Sequence, residues 1–154
     1  MAVMSIDDEG ILSVCPRCGQ KNRTPFVHAG QRGRCGVCEA PLPALSSPIE
    51  IDTQEHFEAL IANCSVPVLV DFWAPWCGPC RTVAPEMEKV AIAETGRFLV
   101  VKVNTENLPA LSRRFEIRSI PTMVVFLHGR EMGRTAGARP AAAIRDFVTQ
   151  AVGA

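Results

Sequence analysis

A chain of 154 residues with zero formal net charge, 47% hydrophobic and 21% charged residues has the composition of a globular protein that can bury a sizeable core. That balance excludes a disordered polar tail, and without a basic excess or basic run it argues against nucleic acid or an anionic membrane as partner. No stretch approaches the roughly 18 uninterrupted apolar residues that cross a bilayer.

The amino-terminal run Met1-Ala2-Val3-Met4-Ser5-Ile6-Asp7-Asp8-Glu9 turns acidic at once and lacks the basic start and apolar centre of a signal peptide, which predicts a cytoplasmic protein. In a reducing compartment, cysteines serve as metal ligands, redox catalysts or small core residues more often than as structural disulfides. Six of the seven cysteines fall into three Cys-x-x-Cys pairs, two near the amino terminus and one in the middle.

The first two pairs, Cys15-Pro16-Arg17-Cys18 and Cys35-Gly36-Val37-Cys38, have the spacing of a two-knuckle zinc site. Each such turn presents two sulfurs on one side, and two turns complete a closed tetrahedral four-sulfur shell. Cys15, Cys18, Cys35 and Cys38 are therefore the candidate ligands of Zn2+, with iron open on the same donors and a pair of disulfides less compatible with a reducing compartment. Arg17, Lys21, Arg23, Arg32 and Arg34 give the segment a basic cluster, but Asp7, Asp8, Glu9 and Glu39 offset it and only Phe26 could stack on a base. His28 reads as a solvated loop residue, because four sulfurs already satisfy zinc.

Residues 41–48, Pro-Leu-Pro-Ala-Leu-Ser-Ser-Pro, read as a linker. They divide the chain into a metal-binding module at 1–45 and an α/β domain at 46–154. Within the second unit, Asp52 followed by Glu55 resembles a capping box, and Phe57, Leu60, Ile61 and Cys64 recur at helical spacing. Cys64 on that stripe reads as a small buried hydrophobe. Residues 66–72 form a short apolar run of the kind buried on both faces of a sheet. Val83, Met87, Val90 and Ala91 then mark a second helix, expected to bend at Pro85. Residues 97–104 predict a strand carrying one charge, Lys102, and Leu108, Leu111 and Phe115 mark a short helix. Residues 122–127 predict another strand, His128-Gly129-Arg130 a turn, and residues 131–137 its antiparallel partner. Ile144, Phe147, Val148 and Val152 give a closing helix one apolar face.

The third pair stands alone between a buried strand and a helix, in Trp73-Ala74-Pro75-Trp76-Cys77-Gly78-Pro79-Cys80, and that context favours redox chemistry over metal binding. Cys77 at the helix start is an exposed thiolate candidate, stabilised by unpaired amides and the positive end of the macrodipole. Cys80 lies on the inward stripe with Val83 and Met87. Attack by Cys77 and resolution by Cys80 follow from that asymmetry. Gly78 allows a tight turn and Pro79 is tolerated where its missing N–H is not needed. Packed core thiols are the alternative, but they do not account for two flanking tryptophans. Asp71, ending an apolar strand, is either a desolvated acid or a strand-end cap. Lys102 is either a buried ammonium needing a partner or a lysine reaching out from the sheet margin. Trp76 reads as contact surface and Trp73 as packing.

At these residues the chain resembles the thioredoxin family over nearly all of 48–154, through Asp71-Phe72-Trp73-Ala74-Pro75-Trp76-Cys77-Gly78-Pro79-Cys80, Ile120-Pro121-Thr122, Gly129 and Gly137. With the four amino-terminal cysteines, it is similar to the zinc-containing thioredoxin-2 type found in bacteria. The resemblance implies a thioredoxin fold, a central mixed sheet flanked by helices, with a small zinc-knuckle module in front. It implies that Asp71 exchanges a proton with Cys80, that Lys102 lies near Asp71, and that Pro121 is cis opposite the dithiol. It also implies that Trp76, Gly78, Pro79, Ile120 and Pro121 contact substrate. A monomeric protein-disulfide reductase with no organic cofactor follows, recharged by an NADPH-dependent flavoprotein thioredoxin reductase and acting on disulfide-containing client proteins. A different class of function, a redox-responsive zinc switch or binding module centred on the amino-terminal site, remains the alternative.

Overall fold

The computed structural model describes residues 4–153; Met1, Ala2 and Val3, which begin the acidic amino-terminal run, and Ala154 lie outside it. The chain opens with β1 (Ser5–Ile6), β2 (Gly10–Val14) and β3 (Lys21–Pro25), an antiparallel three-stranded sheet, followed by a 3-10 turn at Phe26–His28. Sequence periodicity does not announce these strands. They are short, and β3 alternates exposed and half-buried residues without one fully buried side chain.

The second sheet is built from β4 (Ile49–Glu50), β5 (Val68–Trp73), β6 (Leu99–Asn104), β7 (Thr122–Leu127) and β8 (Arg130–Ala136), in the order β4-β6-β5-β7-β8. The β4-β6-β5 half is parallel, and β7 and β8 run antiparallel. Parallel strands need covered crossovers, supplied by α1 (Gln54–Asn63) and α2 (Gly78–Ala93); α3 (Pro109–Arg114) links β6 to the antiparallel β7, and α4 (Ala141–Val152) closes the domain.

Strand alternation divides the core into two layers. Val68, Val70 and Phe72 of β5 pack with Phe57 and Leu60 of α1 and Leu111 of α3 on one face, whereas Leu69 packs with Val83, Met87 and Val90 of α2 and Ile144 of α4 on the other. Asp71, two residues after Leu69, therefore projects from the α2 face. Ile6, Ile11, Phe26 and Ala29 of the amino-terminal sheet and turn join the α1 layer, and Ser65 N–H donates to Phe26 O at 3.3 Å.

Local details depart from the sequence reading in identifiable ways. Thr53, rather than Asp52, caps α1, its Oγ1 accepting from His56 N at 3.1 Å; a hydroxyl one residue later reaches the same orphan amides. Pro85 sits inside α2, which continues past it to Ala93. His128 and Gly129 carry φ values of 50° and 81°, the left-handed pair that a tight turn between twisted antiparallel strands requires. Pro41 and Leu42 are bound to the amino-terminal module, Leu42 N–H donating to Gly33 O at 2.9 Å. None of the described helices is long and apolar enough to cross a membrane.

Candidate functional site

The junction from β5 into α2 forms the first candidate site. Cys77 is the N-cap of α2, and its Sγ accepts from Cys80 N–H at 3.2 Å. A sulfur in this place receives the field of the helix N-terminus as well as a direct amide donor, both of which favour the thiolate. Cys77 and Cys80 are joined as a disulfide with Cα atoms 5.2 Å apart. Ala74, Trp73 and Ile120 pack around them, and Cys77 Sγ lies 3.7 Å from Ile120 O.

Cys77, expected to be exposed, is only 4% exposed, the same as Cys80. In the disulfide it is covered by Ile120 and Trp73, so accessibility does not separate the two sulfurs. Their surroundings do: Cys77 sits outside the helix with an amide aimed at its sulfur, and Cys80 shares the inward stripe of Val83 and Met87.

Gly78 and Pro79 are exposed beside the pair, and Trp76 is 64% exposed, its Nε1 donating to Glu106 Oε1 at 2.7 Å. Opposite, the Ile120–Pro121 peptide is cis, and Pro121 O accepts from Gly137 N–H at 2.8 Å. A rim of Trp76, Gly78, Pro79, Ile120 and Pro121 thus borders the disulfide. Glu106, which holds the Trp76 indole, was not singled out by the sequence; no local pattern marks its contact across 30 residues.

On the α2 face of the sheet lies a charged row, buried at Asp71 and half-buried at Lys102 and Glu50. Asp71 is 1% exposed, and neither carboxyl oxygen has a hydrogen-bond partner among the described residues. Burial pushes its carboxyl up to about 7, opposed by the nearby Lys102 ammonium and reinforced by Glu50. Lys102 is half-buried on β6, with its Nζ 4.2 Å from the centroid of the Trp73 ring. Glu50, absent from the sequence-based candidates, is half-buried on β4 and accepts from Trp73 Nε1 at 3.3 Å. Only the strand register reveals it, because a lone glutamate between two isoleucines has no sequence signature.

The second site lies at the far end of the amino-terminal sheet. The Sγ atoms of Cys15, Cys18, Cys35 and Cys38 all fall within 4.8 Å of one another, with Cys15 to Cys38 at 3.5 Å and Cys18 to Cys35 at 3.6 Å. Four sulfurs tetrahedral about zinc at about 2.3 Å stand about 3.8 Å apart. The two knuckles share one fold: Gly19 N–H donates to Cys15 O and Glu39 N–H to Cys35 O, at 2.9 and 3.0 Å, with both residues in the left-handed region. The amides of Cys38 and Val37 and the Asn22 side chain pull the Cys35 thiol down to about 6. The Gln20 amide lowers the Cys18 thiol, but burial and the three other sulfurs push it up to about 12. Four thiolates this close need a cation to ionise together, so the donor set and its spacing fit a divalent metal.

A family model described as Thioredoxin matches residues 48–150. Thioredoxin C-3 of Corynebacterium nephridii is 38% identical over 140 residues, 91% of this chain and 94% of its own length. That span is too long to lie within the matched family region and takes in part of the amino-terminal module. Thioredoxin 1 of Chlorobaculum tepidum is 44% identical over 99 residues, covering 64% of this chain and 98% of its own. Among solved structures, chloroplastic thioredoxin z superposes with a TM-score of 0.63 at 36% identity, over 70% of this chain and 96% of its own.

Proposed function

Because the chain belongs to the thioredoxin family, we propose that Cys77 and Cys80 carry its protein-disulfide reductase activity in unequal roles, Cys77 as nucleophile and Cys80 as resolving thiol. The observation that carries this reading is the placement of the pair at the head of α2, the helix packed on the face of β5 that carries the buried Asp71 carboxyl, which has no hydrogen-bond partner among the described residues.

In the reduced protein the Cys77 thiolate attacks one sulfur of a client disulfide. A Cys77–client bond forms, the client S–S bond breaks, and one client thiolate leaves. Asp71 then takes the proton of Cys80, whose thiolate attacks Cys77 Sγ. The Cys77–Cys80 bond forms, the mixed disulfide breaks, and the second client thiolate departs. Two electrons have passed from the dithiol to the client. Lys102 holds Asp71 in a state able to give and accept that proton, since an ammonium nearby offsets part of the burial that favours the neutral acid. Trp76, Gly78, Pro79, Ile120 and Pro121 form the rim against which an extended client segment lies, as peptides do against exposed backbone.

Re-reduction of Cys77–Cys80 is assigned to an NADPH-dependent flavoprotein thioredoxin reductase, and the chain works as a cytoplasmic monomer. Residues 1–45 form a module in which Cys15, Cys18, Cys35 and Cys38 hold Zn2+, and residues 46–154 form the oxidoreductase domain. No organic cofactor is required by the exchange chemistry. A coupled assay tests the function: with thioredoxin reductase, NADPH and insulin, the parent chain should sustain NADPH oxidation. The Cys77→Ser variant should lose essentially all of it, and turnover retained by that variant would refute the assignment.

A further inference from the structure

Glu50 has no part in the exchange steps above, yet the sheet places it in line with the residues that do. Parallel register sets Glu50 of β4 opposite Lys102 of β6, and Lys102 opposite Asp71 of β5. Rung partners in a parallel ladder project from the same face, so carboxylate, ammonium and carboxylate form one row on the α2 side of the sheet. The Trp73 indole spans it, donating to Glu50 Oε2 at 3.3 Å while Lys102 Nζ lies 4.2 Å from its ring centroid.

The row holds two acids and one cation. On the remaining strand neighbour of Asp71, β7 contributes Met123, which is uncharged, and the helix packed on this face of β5, α2, starts at the Cys77–Cys80 pair and buries Val83 and Met87 there. Near Glu50 the further ionisable group is Asp52, another negative charge. Lys102 is thus the ammonium that both acids draw on. We propose that Glu50 is a positioning residue for the thiol exchange, governing the proton held at Asp71 by sharing with it the single ammonium of Lys102. The proposal rests on the reading of Asp71 as proton acceptor for Cys80.

Each part of the geometry has a separable consequence. Glutamine at position 50 keeps an oxygen for the Trp73 N–H but removes the charge; aspartate keeps the charge and shortens the arm. Without the negative charge of Glu50, Lys102 acts on Asp71 alone and a like charge is lost, so the carboxyl of Asp71 should ionise at lower pH.

The test uses full-length, metal-loaded, reduced protein and two readouts, the 13C titration of the Asp71 carboxyl and the pH profile of insulin reduction. Glu50→Gln should move both midpoints down by about one pH unit, the scale of a nearby charge, and Glu50→Asp should restore most of that shift. Superimposable profiles for Glu50→Gln and the parent would overturn the proposal, as would equal shifts in Glu50→Gln and Glu50→Asp, which would indicate packing rather than charge. Asp71→Asn separates the underlying reading: an unchanged pH profile in that variant would sink the role of Asp71 itself. A changed profile there, with Glu50→Gln inert, would sink Glu50 alone.

Discussion

At Asp71, burial and charge pull in opposite directions, and burial wins: a side chain 1% exposed, one strand from Lys102, still has its carboxyl pushed up to about 7. This has a consequence for stability that is independent of catalysis. In the unfolded chain the same carboxyl loses its proton near 4. Between those values the folded protein binds more protons than the unfolded one, so stability falls as pH rises through about 7, and the full contribution is present only below about pH 4. Replacing the acid by an uncharged group of equal shape removes the loss. Asp71→Asn, in the oxidised protein, should therefore be more stable than the parent at pH 8 by at most about 4 kcal/mol, with the gap closing toward pH 4. Denaturant unfolding at both values measures it, and an Asp71→Asn variant no more stable than the parent at pH 8 would show that the carboxylate is solvated or paired in the native state.

Elements differ in what holds them. β5, β6 and β7 are buried on both faces and sustain their own order through the two core layers. The knuckle end of the amino-terminal sheet has almost no apolar support, since Leu42 is the one large aliphatic side chain buried with Cys15 and Cys35. Its turns hang on the four sulfurs, so a metal held there would supply their folding energy. Stripping metal with a chelator under reducing conditions should abolish amide-exchange protection at Gly19, Glu39 and Leu42, whose N–H groups donate within the knuckles. The amides of β5 and β7 should keep theirs. Knuckle protection that survives complete metal removal would mean that backbone hydrogen bonds alone hold the module.

Across the whole molecule, the two units are joined by a common core rather than tethered. Ile6, Ile11, Phe26 and Ala29 pack into the layer of α1, His56 Nε2 lies 3.4 Å from Asp8 Oδ1, and a side chain at Gly30 would meet Val66 at 2.8 Å. This union was not legible in the sequence, where those apolar residues are scattered through a polar segment without a period. The α/β half was legible because long apolar strands and amphipathic helices carry strong periodicity, as in residues 66–72 and the Phe57, Leu60, Ile61 stripe. The dithiol and the sulfur cluster could be found because their chemistry fixes short spacings. Glu50 and Glu106 could not, because their partners, Lys102 and Trp76, are supplied by strand register and loop packing over distances no local pattern spans.

The central claim is that one Cys-x-x-Cys pair has sulfurs of unequal reactivity while the other two pairs converge on one four-sulfur cluster fit to hold a metal. Trapping tests it most directly. Full-length, metal-loaded Cys80→Ser, reduced and mixed with insulin, should accumulate a covalent adduct whose peptide mapping places the bond at Cys77. No adduct, or an adduct formed chiefly through Cys15, Cys18, Cys35 or Cys38, would contradict the account.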